Sequence, residues 1–165
     1  MNILRSISFT IPIAPQSVQF GSRANFRTRR FYTDKDKAAY TARIIEESKH
    51  HAPDQPHNGM VLIRMDFYLP KASWVKCDER DEPRAWGILG GHPDDDNLYK
   101  GTKDALTKAG FWIDDGQIVG SNLRKFWAAE ALFPRIEVQI DLLKLEAGNI
   151  PPAALPKKPR RIPQS

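Results

Sequence analysis

The sequence has little of what marks several common classes of protein. Its 165 residues include one cysteine, Cys77, so no internal disulfide can form, and no Cys/His cluster offers the tetrahedral ligands of a structural zinc site. No stretch is apolar for long enough to span a bilayer. These absences exclude a disulfide scaffold and a helical membrane protein, and they favour one domain in a reducing, cytoplasmic setting.

The opening residues predict a strand rather than a signal peptide. In MNILRSISFTIPIAP, polar residues and Pro12 interrupt the apolar run before the core of a signal peptide can form. The apolar residues alternate instead, which is the period of a strand. They are Ile7, Phe9, Ile11 and Ile13.

Apolar periodicity predicts two helices and three further strands. The first helix starts at Thr33 or Asp34 and runs to about Lys49. Its residues available to pack are Ala38, Ala39, Ala42, Ile44 and Ile45. The next strand covers 61–69, is half buried and is stopped by Pro70.

The second half of the chain continues this mixture of elements. A helix over 96–109 ends at Gly110, and strands follow over 119–126 and 136–142. This order predicts an α+β fold, a small mixed sheet of about four strands with two helices packed on it. Residues 70–93 show no periodicity, and their glycines lack the Lys-Ser/Thr of a P-loop, so phosphate binding by that motif is excluded.

Positive charge is unevenly distributed. The formal net charge is +5, but the segment PPAALPKKPRRIPQS holds four cations and no acid. We therefore divide the chain into a domain over 1–148 and a Pro-rich basic tail over 149–165, for which the prolines predict disorder. Such tails often bind nucleic acid by releasing counterions from phosphates, and a solvated terminus is the alternative. Residues 20–32 interleave arginines with aromatics, which fits base stacking or a hairpin core with arginines facing water.

Three consecutive aspartates in HPDDDNLYK, at positions 94–96, repel one another unless a positive charge lies between them. Hard divalent cations prefer oxygen ligands, and Mg²⁺ takes a few carboxylates together with water and substrate phosphate. Asp94 and Asp96 can converge on one ion from an extended turn, whereas Asp95 should point elsewhere. The alternative is that one aspartate only caps the helix that follows.

Charged residues further along could complete such a site. Lys100 lies four residues after Asp96, hence about one turn along the same helical face. It can form a surface salt bridge or place a cation beside a metal-bound phosphate. Asp114 and Asp115 follow the helix, where Asp-Gly is by itself an ordinary turn signal.

The run PDDDNLYKGTKDALTKAGFWIDDGQIV, residues 93–119, closely resembles the central signature of the RusA family of Holliday junction resolvases. In that signature Asp-x-Asp-Asn-Leu-x-Lys leads into Asp-Ala-Leu, and an aromatic, Asp-Asp, any residue and Gln-Val follow. Looser similarity extends over about 6–141. The sequence departs from the pattern at Asp95, where an apolar residue is common, in its longer loop before the motif and in its basic tail.

The resemblance implies an endonuclease that uses Mg²⁺, with Mn²⁺ as a substitute, to resolve four-way (Holliday) DNA junctions by paired symmetric nicks. Carried over by position, it implies that Asp94, Asp96 and Asp115 bind the metal and that Lys100 is the catalytic lysine. It further implies branched DNA as the partner, and the cytoplasm of a bacterial or phage-infected cell. For the third of these carboxylates, Asp115, the neighbouring Asp114 is the alternative.

Symmetric nicking implies a homodimer, because a two-fold dimer presents two equivalent sites. The helix from Asp34 and the strand from Val61 are candidates for its interface. Two other functions stay open. A nucleic-acid-binding protein without catalysis would tolerate loss of Lys100, and a Mg²⁺-dependent nuclease acting on flaps or forks would share every residue named.

Overall fold

The structure is a computed structural model that describes residues 2–16, 34–70, 82–83, 95–129 and 132–144, with the backbone alone at 34, 35, 82, 83 and 95. Asp94, the side chain of Asp95, the arginine-aromatic segment, most of the loop over 70–93 and the basic tail lie outside this description. The division into domain and tail therefore stays a prediction. No helix within the described ranges is long and apolar enough to cross a membrane.

Five strands form one sheet: β1 (Ile3–Ile11), β2 (Val61–Leu69), β3 (Glu82–Pro83), β4 (Ile118–Trp127) and β5 (Arg135–Leu143). Their order is β1-β5-β2-β4-β3. β2 runs parallel to β4, and the other neighbours are antiparallel. The prediction of a mixed α+β sheet with four long strands is confirmed, while the two-residue β3 was not predicted.

The core lies between one face of the sheet and two helices, α1 (Asp34–Ser48) and α2 (Asp95–Lys108). The alternating apolar residues of β1, β2 and β5 point to this face, as their period of two requires. Fully buried members include Ile11, Val61, Met65, Phe67 and Ile140. From α2, Leu98, Ala105 and Leu106 complete the core, and Gly110 ends the helix with a φ of 91°, a conformation that favours glycine.

The buried face of α1 matches the predicted one only in part. Ile44 is buried and Ile45 packs against the core, as predicted, but Ala38, Ala39 and Ala42 are exposed and Tyr40 is buried in their place. Ser48, one further turn along, is also buried, and its hydroxyl donates to the carbonyl of Ile44 at 2.7 Å. Residues four apart share a helical face, and the face that buries a tyrosine and an isoleucine removes more apolar surface from water than one of alanines.

The first half of β2 shows the predicted half-buried pattern, with Leu62 partly exposed and Arg64 exposed, but the second half is buried on both faces. On the face away from the helices, Asp66 and Tyr68 are only 4% and 8% exposed. Arg124 donates to Asp66 through Nε at 2.7 Å and through its second nitrogen, and Arg64 adds a third bond at 3.1 Å. Because β4 and β5 occupy both edges of β2, a second copy cannot pair with an edge of this strand.

Candidate active site

A short 3-10 turn, Asp115–Gln117, connects α2 to β4 and presents the paired aspartates. Asp114 caps this turn, because its carboxylate accepts the N–H of Gly116 at 2.7 Å. Gln117 completes a capping box by accepting the N–H of Asp114 at 2.7 Å. Asp114 is therefore committed to the backbone of the turn, which leaves Asp115 as the carboxylate that faces the helix.

The amide of Gln117 fastens the turn to the segment before β2. Its oxygen accepts the N–H groups of Ile113 at 2.8 Å and Asp114 at 2.7 Å, and its nitrogen donates to the carbonyls of His57 at 2.9 Å and Gly59 at 2.7 Å. Two donors and two accepted bonds are the full capacity of a primary amide. Gln117 therefore fixes the backbone on which Asp115 is carried.

Asp115 contacts α2 through both carboxylate oxygens. Oδ2 lies 2.8 Å from Lys103 Nζ, and Oδ1 accepts the hydroxyl of Thr107 at 2.6 Å and lies 3.5 Å from Trp112 Nε1. Thr107 Oγ1 is also 3.0 Å from the carbonyl of Lys103. Because a hydroxyl has one proton to donate, Thr107 donates it to Asp115, where the bond is shorter and the acceptor is charged.

These contacts hold Asp115 ionised at neutral pH. Burial by itself would raise the pKa of Asp115, but the hydrogen bonds from Lys103 and Thr107 and the charge of Lys103 outweigh burial and lower that pKa. Burial would likewise lower the pKa of Lys103, and the hydrogen bond and charge of Asp115 raise it instead. Both partners are therefore charged at neutral pH.

The predicted residues on α2 share a stripe with the partners of Asp115. Asp96 and Lys100 are exposed, and Lys103 and Thr107 follow along the same helix at spacings of three and four residues. About 10 Å of helix axis separates Asp96 from Lys103. The Oδ1 atom of Asp96 accepts the N–H of the next residue, Asn97, at 2.9 Å, whereas a capping carboxylate accepts an N–H two or three residues further on.

An open pocket of about 320 Å³ lies where α2 meets the start of β4. Tyr99 and Lys103 line it from the helix, Asp115 from the turn, and residues 118–121 from the strand. Lys103 Nζ lies 5.6 Å from the centre of the Tyr99 ring, and Tyr99 hydrogen-bonds with Ser121. The pocket thus contains an ionised carboxylate and a lysine whose side chain is mostly buried, and it is open to solvent.

The donor chemistry of this region fits a hard divalent cation. Asp115 is ionised, 36% of its side chain is exposed, and Oδ2 can accept a further bond beside that from Lys103. The described side chains contain no group of three His, Cys, Asp or Glu residues able to hold a metal. The predicted set needs Asp94, which lies outside them, so the three-carboxylate site stays a prediction.

Comparison with known proteins identifies the family. The family model described as Endodeoxyribonuclease RusA matches residues 12–141. The chain belongs to the RusA family. It is 69% identical over 116 residues to the crossover junction endodeoxyribonuclease RusA of Shigella sonnei (strain Ss046), over 70% of this chain and 79% of that protein.

Two further relatives cover similar or larger shares. The crossover junction endodeoxyribonuclease RusA of Escherichia coli (strain K12) is 29% identical over 119 residues, which is 70% of this chain and 79% of that protein. The uncharacterized protein YqaN of Bacillus subtilis (strain 168) is 30% identical over 139 residues, which is 81% of this chain and 94% of that protein. The resemblance seen in the sequence is confirmed at the level of the RusA family.

Within this RusA member, sequence reasoning missed the residues that hold Asp115. The sequence predicted only that Lys103 and Thr107 lie in the helix over 96–109, and gave neither a role, yet both contact the carboxylate. Their spacing from Asp96 and Lys100 was a usable signal, because all four share one stripe of α2. The spacing did not indicate that the turn carrying Asp115 would lie against this stripe of α2.

Proposed function

We propose that this chain is a Mg²⁺-dependent endonuclease that resolves four-way DNA junctions by paired symmetric nicks. Membership of the RusA family supports a nuclease, and the relatives from Escherichia coli and Shigella sonnei carry the name crossover junction endodeoxyribonuclease. The observation that carries the proposal is Asp115, an ionised and accessible carboxylate at a pocket beside the helix that bears Asp96 and Lys100.

In this proposal Asp94, Asp96 and Asp115 hold the metal, with Mn²⁺ as a substitute. The bound ion would polarise a phosphoryl oxygen and lower the pKa of a water molecule, which is what hydrolysis of a phosphodiester needs. Thr107 and Lys103 keep Asp115 oriented and charged toward the pocket. Gln117 keeps the turn that carries Asp115 in register with the sheet.

Lys100 has a separate role in the proposal. It lies one turn beyond Asp96 on an exposed face of α2, where its ammonium can reach a phosphate oxygen of bound DNA. A cation at that place stabilises the negative charge that develops as the phosphodiester is attacked. Asp95, between two metal ligands, takes no part.

Two equivalent nicks require two sites related by a two-fold axis, so the active form is a homodimer. The edges of β2 are occupied by β4 and β5, which removes edge pairing through this strand from the possible interfaces. The exposed face of α1, where Ala38, Ala39 and Ala42 lie, stays available. Light scattering should give a mass about twice that of the 18.8 kDa chain.

The direct test is cleavage of synthetic DNA by the full chain. A four-way junction, a replication fork, a flap and a plain duplex of matched sequence are each incubated with Mg²⁺ and with a chelator. We expect two nicks at symmetric positions in the junction with Mg²⁺, no cleavage with the chelator and no cleavage of the duplex. The variant Lys100→Ala tests the role of Lys100 in the same assay. Lys108→Ala, at an exposed position of α2, is its matched control.

Each alternative has its own outcome in this assay. Equal cleavage of forks, flaps and junctions would identify a nuclease of broader branched-DNA specificity. Junction binding without cleavage in Mg²⁺ or Mn²⁺, together with normal binding by Lys100→Ala, would identify a binding protein without catalysis.

A further inference from the structure

The ion pair between Lys103 and Asp115 is less exposed than the helical surface pair of Lys49 and Glu46. The side chains of Lys49 and Glu46, also joined at 2.8 Å on a helix, are 53% and 70% exposed. Those of Lys103 and Asp115 are 21% and 36% exposed. Surface pairs contribute little to stability because water screens them. The less exposed pair is screened less, so its charges act more strongly on each other and on any ion that approaches.

Lys103 contacts Oδ2 of Asp115, the carboxylate oxygen on which a metal in the pocket would bind. Thr107 already takes Oδ1 of Asp115 at 2.6 Å, with Trp112 Nε1 at 3.5 Å, and the ammonium of Lys103 lies on Oδ2 at 2.8 Å. Lys103 also lines the pocket with Asp115. A divalent cation that binds Asp115 must therefore share Oδ2 with a positive charge or displace it.

We infer that Lys103 is a positioning residue that competes with the divalent cation for Asp115 and so sets the metal concentration at which the site fills. The inference rests on the proposed function, in which Asp115 is a metal ligand. Before the metal arrives, Lys103 keeps the carboxylate paired and correctly placed. When the metal binds, the flexible lysine stem lets the ammonium withdraw into the open pocket.

The sign of the effect separates competition from simple support. A ligand held in place by a purely structural partner loses metal affinity when that partner is removed, typically by about 10- to 100-fold. Removal of a competing positive charge near a divalent ion raises the affinity instead, here on the order of tenfold from Coulomb's law in a solvent-exposed site. The two roles therefore predict opposite changes.

The experiment is a titration of full-length protein with Mn²⁺ in the absence of DNA, in which free Mn²⁺ is measured by electron paramagnetic resonance. The variants are Lys103→Met, which keeps the apolar stem and removes the charge, and Lys103→Arg, which keeps the charge. Lys108→Met, on an exposed position of the same helix, is the matched control. Asp115→Asn tests whether the ion measured is the one bound at this carboxylate.

We expect Lys103→Met to bind Mn²⁺ about tenfold more tightly than the wild type, and Lys103→Arg and Lys108→Met to bind within about twofold of it. An unchanged or weaker affinity in Lys103→Met, with Asp115→Asn losing the ion, would overturn the competition and leave the proposed function standing. No Mn²⁺ binding by the wild type, or full binding by Asp115→Asn, would overturn the metal site and the competition together. Unfolding midpoints of all variants verify that each is folded.

Discussion

Two carboxylates, Asp66 within β2 and Asp115 in the turn before β4, have similar electrostatics and different surroundings. Both are ionised because cationic partners outweigh burial and lower the pKa of each group. Asp66 is held by two guanidinium groups, and its side chain is 6% exposed. Asp115 is held by a lysine and a threonine, and its side chain is 36% exposed at a pocket.

The difference shows that a lowered pKa alone does not mark a functional site. An arginine fork binds a carboxylate through two fixed bonds and cannot be deprotonated, so Asp66 is firmly held. A lysine is a single mobile charge that a metal can replace, and a pocket provides the access. Partner type and exposure separate the structural carboxylate from the candidate catalytic one.

The largest expected effect is on cleavage. Asp115→Asn should reduce the rate of junction cleavage by at least about 100-fold, since it removes a metal ligand, and should leave junction binding intact. Asp66→Asn should cleave at nearly the wild-type rate per folded molecule. Single-turnover rates on a four-way junction measure both, with the exposed Asp54→Asn as control. Equal losses of cleavage rate in Asp115→Asn and Asp66→Asn would show that the two carboxylates do not differ in function.

The second effect is on stability and falls on the other carboxylate. Asp66→Asn should lower the free energy of unfolding by about 2 kcal/mol, less than for a fully buried pair because the partner arginines are 44% and 45% exposed and can rehydrate. Asp115→Asn should lower it less. Urea unfolding of Asp66→Asn, Asp115→Asn and Asp54→Asn gives the comparison. A larger loss for Asp115→Asn would reverse the assignment.

The variant Gln117→Ala tests how far the placement of Asp115 depends on the turn that carries it. Loss of the four amide hydrogen bonds should cost about 1 kcal/mol, because the turn is partly exposed and water replaces some of them. Cleavage should fall, though less than in Asp115→Asn, because the carboxylate remains but its backbone is loosened. Gln55→Ala, an exposed position just before the same tethered segment, is the control. Wild-type cleavage by Gln117→Ala would show that the turn holds its place without this amide.

The smallest expected effect is a dependence on pH. The pKa of Asp66 is lower in the folded state, so near that pKa the unfolded state binds more protons and stability rises with pH. The stability that Asp66 contributes is complete above about pH 5, and is lost as pH falls below about 3.9 and through the folded pKa. The difference in urea midpoint between wild type and Asp66→Asn should therefore be constant from pH 7 to pH 5 and shrink toward pH 3. A difference that grows on acidification would contradict the ion pair.

Most of the fold followed from local patterns in the sequence. The alternation of Val61, Ile63 and Met65 predicted β2 to its exact ends, and Gly110 predicted the end of α2. Non-local choices were less accessible. The pattern of α1 predicted Ile44 to pack together with the alanines, and only packing in the fold buries Tyr40 and leaves Ala38, Ala39 and Ala42 exposed.

The candidate site was predictable in part for the same reason. Asp96, Lys100 and Asp115 came from the family signature, and the structure adds Lys103 and Thr107 as the groups that contact Asp115. The predicted half-buried strand over 61–69 places Asp66 on its exposed face, because alternation does not reveal arginines contributed by a neighbouring strand. Contacts between elements far apart in sequence are set by the sheet order, which periodicity does not encode.

The pairing of β1 with β5 has a consequence for how the chain is made. Ile3 lies opposite Leu143 and Ile11 opposite Ile136, so the first strand of the described residues pairs with the last of them. β5 also separates β1 from β2. Until residue 143 has emerged, β1 has no neighbour among the described strands and one edge of β2 is open, and contacts this distant in sequence form slowly. The nascent chain must therefore keep two apolar strands from pairing with other molecules throughout synthesis, and a product that ended before β5 would expose both as templates for aggregation.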